Sequence, residues 1–368
     1  MNSRERVVAA IEHREPDRVP LDGLFRREVW VELHRHFETH DEDVILDELG
    51  IDLRWLCGEE PSVDFREQAV PAPVDSEPGL LGAGRDNLVK IRDNGWWEDE
   101  WGVCKQLISS SGYFHYVYHP LAEAEIDDLA HFKFPDPTDR DRYRLLRRDV
   151  QRYKGHHLTL VSITNFFKHT WELRGFDQLM MDLHLNRALV ERLLDKLLAF
   201  KIEQAKNYIR SGVDIICMDG DVAMQKNMMM SPKMWREIFK PRHLTLAQTV
   251  KKEGNVYLNF HSDGNMEPII GDLIEIGFDI INPIQPESMD PVTIKKRYGD
   301  KITLHGAIGM QHTLPFGTVD EVRAEAGERI ETCGVGGGLI IAPSNTVQYD
   351  VPLENLLAVY DTVRKYKR

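Results

Sequence analysis

Cysteine is scarce in this chain. Cys57, Cys104, Cys217 and Cys333 are scattered over 368 residues, and none belongs to a Cys-x-x-Cys pair. That excludes a disulfide framework and fits reduced thiols in a cytoplasmic protein. Long apolar runs are missing as well: no stretch approaches the ~18 uninterrupted apolar residues of a membrane span. Positive charge is in deficit, with 46 basic against 60 acidic side chains and a net charge of −14. A general nucleic-acid binder needs a basic face for phosphates and is therefore not expected. There is no Gly-x-Ser-x-Gly elbow, no Walker loop and no dinucleotide-binding fingerprint. The glycines Gly334, Gly336, Gly337 and Gly338 precede an apolar run instead of opening a helix, so they do not cradle phosphate. The first residues, Met1 to Ala10, read as a capped amphipathic helix and not as a signal peptide.

What is present is a rhythm. Short apolar runs recur at Val19–Asp22, Ile51–Trp55, Leu158–Thr164, Val213–Met218, Val256–Phe260, Phe278–Asn282, Ile302–His305 and Leu339–Ala342. Runs of this length, bounded by turn residues, suit strands of a parallel sheet buried on both faces. Helical patterns fill most of the gaps, among them Leu185–Ser211, Ser231–Glu253, Met266–Ile276, Pro291–Tyr298 and Val319–Thr332. Glycines such as Gly50, Gly212, Gly254 and Gly277 stand where helices should stop. Eight strands in βα alternation point to an α/β fold, a (β/α)8 TIM barrel made by residues 1–368 as a single domain.

One region breaks the rhythm. Residues 59–139 hold Pro61, Pro71, Pro73 and Pro78, then Asp93-Asn94-Gly95, a hairpin turn signal between Val89–Ile91 and Trp96-Trp97. This reads as a β-rich insertion between strands 2 and 3. Its rings, Trp96, Trp97, Trp101, Tyr113, Phe114, Tyr116 and Tyr118, either anchor it to the barrel or wall a pocket.

In such a barrel the active site lies at the C-terminal ends of the strands. The residues there are Asp22, Arg26, Arg27 and Glu28; Arg54; Thr164 and Asn165; Asp219, Gly220 and Asp221; His261, Ser262 and Asp263; Asn282 and Gln285; His305; and Ser344 and Asn345. Polar groups ending so many apolar strands are costly unless bonded together or used on a ligand. Asp219, Asp221, His261 and Asp263 form the densest group. They suit general acid–base work, and His261 with Asp263 suits a divalent metal. Asp221 alternatively caps the next helix. Asn165, Arg26, Arg27, Asn282, His305 and Asn345 are the candidate substrate contacts. Met224 and Met228–Met230 read as core filler or as a soft wall for an apolar ligand, and Cys217 as a buried thiol.

Several segments carry a family resemblance. They are Ser3-Arg4-Glu5-Arg6-Val7, Glu15-Pro16-Asp17-Arg18-Val19-Pro20, His119-Pro120-Leu121, Phe134-Pro135-Asp136-Pro137, Ser231-Pro232-Lys233-Met234-Trp235, His261-Ser262-Asp263-Gly264-Asn265, Asn282-Pro283-Ile284-Gln285-Pro286, Leu314-Pro315-Phe316-Gly317-Thr318 and Ala342-Pro343-Ser344. Together they resemble the uroporphyrinogen decarboxylase superfamily, in its corrinoid-dependent methyltransferase-like branch. The resemblance implies a (β/α)8 barrel. It departs from true decarboxylases, whose Arg-Gln-Ala-Gly-Arg and Phe-Ser-Asp motifs are replaced here by Phe25-Arg26-Arg27-Glu28-Val29 and Ile45-Leu46-Asp47-Glu48-Leu49. It departs from the thiol-methylating members too. Their zinc is held by a His-x-Cys pair and a later Cys; His261 matches the histidine, but Asp263 and Asn345 stand where the cysteines would be.

The resemblance thus implies an enzyme moving methyl from a small O- or N-methylated donor, such as a methoxylated aromatic, to cobalamin on a separate corrinoid protein. No Asp-x-His-x-x-Gly cobalamin motif occurs, since Asp182-Leu183-His184 lacks the glycine. The expected cofactors are that corrinoid and, at His261 and Asp263, either zinc in a harder, oxygen-rich site or no metal. The expected partners are the small substrate and the corrinoid protein, with a homodimer as a further option and no membrane or nucleic acid. The alternatives are a uroporphyrinogen decarboxylase-type carboxy-lyase and a non-catalytic barrel that binds a ligand or a corrinoid protein.

Overall fold

The computed structural model describes residues 1–71, 88–108 and 113–366. Its strands are β1 (Leu53–Trp55), β2 (Val70–Pro71), β3 (Leu88–Ile91), β4 (Trp97–Glu98), β5 (Cys104–Ile108), β6 (Tyr113–Tyr118), β7 (Leu158–Thr164), β8 (Ile215–Asp219), β9 (Tyr257–His261), β10 (Ile280–Ile284), β11 (Thr303–Ile308) and β12 (Leu339–Pro343). Seven of them form one parallel sheet in the order β1-β7-β8-β9-β10-β11-β12. Helices connect β7 through β12 and cover one face of these strands, while Leu158, Leu160, Ile215, Cys217, Ile280 and Ile340 pack together with Leu53 on the other. That is why they read as continuous apolar runs.

The first apolar run behaves differently from the other seven. Val19–Asp22 contributes only a parallel bridge between Leu21 and Ile341. Pro20 has no N–H and cannot extend a ladder. The bonds that remain are enough to join the sheet's two edges. Asp22 N–H donates to Ile341 O and Ile341 N–H to Pro20 O on the β12 side; Asp52 N–H donates to Leu21 O beside β1. The sheet is therefore curled, with Leu21 between its first and last strands.

Helix ends follow local chemistry. Asn2 caps the first helix, Ser3–Ile11, in a capping box with Glu5, as the N-terminal pattern suggests. The single helix expected over Ser231–Glu253 is instead two, Pro232–Ile238 and Lys240–Glu253. Pro241 is the reason: it lacks an N–H and its ring clashes with the preceding turn, so the chain restarts there. No helix among the described residues is long and apolar enough to cross a membrane.

A separate antiparallel sheet, β2-β3-β4-β5-β6, falls between β1 and β7 in chain order. Its β3–β4 hairpin turns at Asp93-Asn94-Gly95, where Gly95 takes φ +81°. Pro73, Pro78 and the ring of Tyr113 lie outside the described residues. Two of the described rings pack against the helices around the parallel sheet. Trp101 sits 4.2 Å from the His169 ring and 4.8 Å from Phe200. Tyr116 packs on Trp171 and donates to Glu172. Trp101 and Tyr116 thus anchor the region, Trp97 packs on Phe114 within it, and none of the described rings lines the central cavity described below.

Candidate active site

Strand register builds one row of polar side chains. Thr164 lies opposite Asp219, Asp219 opposite His261, and His261 opposite Asn282. Four adjacent parallel strands thus end in Thr, Asp, His and Asn at one level. The row faces a cavity of about 170 Å³, lined by Asp22, Trp55, Asp219, His261, Asn282, His305, Ser344 and Asn345, with Gly23, Leu24, Ala342, Pro343 and Thr346. That is smaller than the ~300–1,000 Å³ of drug-sized sites. Among the described residues, no lysine or arginine lines it.

His261 is the centre of the row. Its Nδ1 lies 2.5 Å from Asn282 Oδ1. An amide oxygen accepts only, so Nδ1 carries the proton and Nε2 is turned to the carboxylates. Asp219 Oδ1 is 3.7 Å and Asp263 Oδ1 3.9 Å from Nε2. Burial lowers the imidazole pKa, but Asp219, Asp263 and Asp221 together outweigh it and raise the net value.

Asp263 is held from two sides. Its backbone N–H donates to Asp221 Oδ1 at 2.8 Å, and Asn345 Nδ2 donates to its Oδ2. Its Oδ1 is buried with no hydrogen-bond partner. Burial, with Asp221 and Asp219 nearby, pushes its carboxyl up to about 6, against the pull of His261. One oxygen each of Asp221 and Asp263 and one nitrogen of His261 lie within 4.8 Å of one another. This is a nitrogen–oxygen donor set with an orphaned carboxylate oxygen inside it, which fits a divalent cation of intermediate to hard character.

Between the two aspartates, Gly220 takes φ +142°, a conformation open to glycine. A Cβ there would meet Lys168 Cβ at 2.7 Å. Asp221 does not cap a helix. Its Oδ1 instead binds Asp263 N–H, which ties the end of β8 to the end of β9.

The other candidates divide. Asn282, His305 and Asn345 line the cavity. Asn165 does not: it is fully buried, its oxygen caps the helix Phe166–Arg174 through Lys168 N–H, and its Nδ2 donates to Gly220 O. It supports the loop and is not a cavity contact. Arg26 is buried against Gln348 and Glu28, and Arg27 is exposed at the start of its helix. Arg54 pairs with Asp47 and Asp43. None of these three arginines lines the cavity. Met228 and Met230 are buried filler while Met224 is 56% exposed, and Cys217 is buried inside β8 with its thiol pKa raised by burial. Trp55 is the wall residue that the strand-end survey misses. It is the last residue of β1, directly after the conspicuous Arg54, whose side chain pairs with Asp43 and Asp47 away from the cavity.

A profile of the uroporphyrinogen decarboxylase (URO-D) family matches residues 167–366, more than half of the chain. The chain belongs to the URO-D family. Within it, 200 residues are 28% identical to the methylcobamide:CoM methyltransferase MtaA of Methanosarcina barkeri, covering 54% of this chain and 52% of that protein. The same enzyme from M. barkeri strain Fusaro is 26% identical over the same share. The match therefore spans about half the length of these curated relatives. Among solved structures, a methyltransferase from Methanosarcina mazei superposes with a TM-score of 0.66 over 99% of both chains at 19% identity, a likeness of fold. The URO-D match covers β8 through β12 and so contains Asp219, His261, Asp263, Asn282, His305 and Asn345.

Proposed function

We propose that this URO-D protein is a methyltransferase, moving methyl from a small O- or N-methylated donor to a separate corrinoid protein. The whole chain would act as one unit in the cytoplasm. One observation carries the reading. The site of a chain similar to methylcobamide methyltransferases is built from His261, Asp219, Asp221, Asp263 and Asn345, without a thiolate. The cavity volume and the absence of lysine and arginine from its described lining favour a small uncharged or cationic donor over a polycarboxylate porphyrinogen.

The reaction is an in-line displacement. The acceptor's reduced cobalt supplies the electron pair for the new methyl bond. The bond to the donor oxygen or nitrogen breaks, and the leaving atom takes a proton. His261, its pKa raised against burial by three flanking carboxylates, is placed to deliver that proton. Asp219 and Asp263 stabilise the imidazolium, and Asn282 fixes the ring's orientation as an orienting partner does in other general acids. His305 and Asn345 are the further substrate contacts. If a divalent cation such as zinc is bound, His261, Asp263 and Asp221 would hold it, and it would supply Lewis acidity toward the leaving oxygen.

The test is spectroscopic. Purified protein, a reduced corrinoid protein and a panel of methoxylated aromatics and methylamines should convert the cob(I) spectrum to that of methylcob(III). No conversion with any donor, together with CO2 release from uroporphyrinogen, would replace the reading with a decarboxylase.

A further inference from the structure

The cavity has a second polar wall, away from His261. Asp22 and His305 are each about 2% exposed, and His305 Nε2 lies 3.0 Å from Asp22 Oδ2. Trp55 Nε1 donates to the same oxygen at 2.9 Å. Oδ2 thus receives two donors, whereas Asp22 Oδ1 and His305 Nδ1 are buried with no hydrogen-bond partner. With the shared proton on Nε2, Nδ1 presents a lone pair. Asp22, His305 and Trp55 all line the cavity. Two buried acceptors with nothing to accept from are expensive, and a ligand that donates to them recovers the cost.

We propose that Asp22 and His305, steadied by Trp55, form a positioning subsite that selects substrates carrying a hydroxyl or ammonium donor and rejects carboxylates. This rests on the reading that the cavity takes a small methylated donor. It adds which donors: the methylated group faces His261, and a second O–H or N–H on the same molecule binds Asp22 Oδ1 and His305 Nδ1. A carboxylate would bring only acceptors to Asp22 Oδ1 and His305 Nδ1, and no lysine or arginine among the described lining residues compensates. A site built to bond a donor discriminates strongly against the analogue that lacks it.

The full chain is titrated, without corrinoid, against four matched probes: 2-methoxyphenol, 2-methoxybenzylamine, methoxybenzene and 2-methoxybenzoate. Calorimetry or ligand-observed NMR gives the affinities. The hydroxyl or the ammonium probe should bind at least about tenfold tighter than methoxybenzene, with the benzoate weakest. Whichever of the two leads identifies the donor type. Asp22→Asn and His305→Gln should each shrink that ratio while methoxybenzene affinity stays put. A folding defect would weaken all probes alike, and a thermal melt checks it. Wild-type binding without preference, a preference that survives both variants, or failure of both donor probes to bind would overturn the proposal. The ratio needs no methyl transfer. Selectivity without turnover therefore counts against the methyltransferase reading alone, and turnover without selectivity against this subsite alone.

Discussion

Two histidines in this protein sit in opposite company. His261, at the end of β9, stands beside Asp219 and Asp263 with Asp221 near, and its pKa is raised. His169 lies in the helix after β7, roofed by Trp101 from the antiparallel region, with Lys201 Nζ at 2.8 Å from its Nδ1. Burial, then Lys201 and Lys168, drives its pKa well down. His169 is buried and the His261 side chain is 23% exposed, but that difference does not by itself set their pKa values apart. The sign of the neighbouring charges does. Carboxylates raise the pKa of His261 against the effect of burial, while burial and the neighbouring lysines lower that of His169, whose Nδ1 lies against Lys201.

The largest effect should come from removing the first ring. His261→Ala should lower methyl transfer by about 10²–10⁴-fold, with far-UV circular dichroism unchanged. His169→Gln, which keeps an acceptor for Lys201, should leave turnover within about twofold of wild type, because no step uses that ring. Equal losses in both variants would erase the distinction. Metal analysis sharpens it: a His261–Asp263–Asp221 cation should leave with His261→Ala and remain with His169→Gln.

The second effect is on stability, and it belongs to the sealed cluster. Lys201 is 1% exposed, and burial lowers its pKa to about 7 from 10.5. Between those values the unfolded chain binds more protons at this residue than the folded chain does. Wild-type stability should therefore rise with pH through the window, by roughly 1.4 kcal/mol per pH unit from this group. Below about pH 7 the full cost of a buried ammonium is present. Lys201→Met removes the term. The mutant should be more stable than wild type near neutral pH, and urea melts at about pH 7 and about pH 9 should show the gap closing. A gap independent of pH would mean that Lys201 stays charged when buried.

How much of this was legible in the sequence follows from what each residue depends on. The seven strands of the parallel sheet were readable because both their faces are apolar, a local property. The row Asp219–His261–Asn282 was readable because parallel register brings strand ends to one level, and each of these residues closes an apolar run. Orientation was not readable. Asn165, Arg26 and Arg54 close or flank apolar runs as His261 does, yet their side chains turn to Gly220, Gln348 and Asp47, away from the cavity. That depends on partners distant in sequence, or on a loop conformation such as that of Gly220. Trp55 was missed for the converse reason, since an apolar ring at a strand end looks like core. The broken helix at Pro241 was legible and was overlooked behind a long amphipathic pattern.

The smallest effect tests whether a support residue can be told from a contact residue. Asn165 holds the cavity's acidic loop through one acceptor, on Lys168 N–H, and one donor, on Gly220 O. Asn165→Ala should cost about 1–2 kcal/mol of stability, from the lost cap and an unpaired buried carbonyl. Asn165→Asp keeps the cap but points an acceptor at that carbonyl, so it should recover little of the loss. Neither change should alter which probe the cavity prefers, because the amide makes no contact there, although the loop's looser hold on Asp219 and Asp221 should slow turnover modestly. Thermal melts and the four-probe titration on both variants decide the matter. If Asn165→Ala changed probe preference while leaving the melt untouched, Asn165 would be a substrate contact after all, and the line drawn here between the cavity wall and its scaffold would have to move outward to include it.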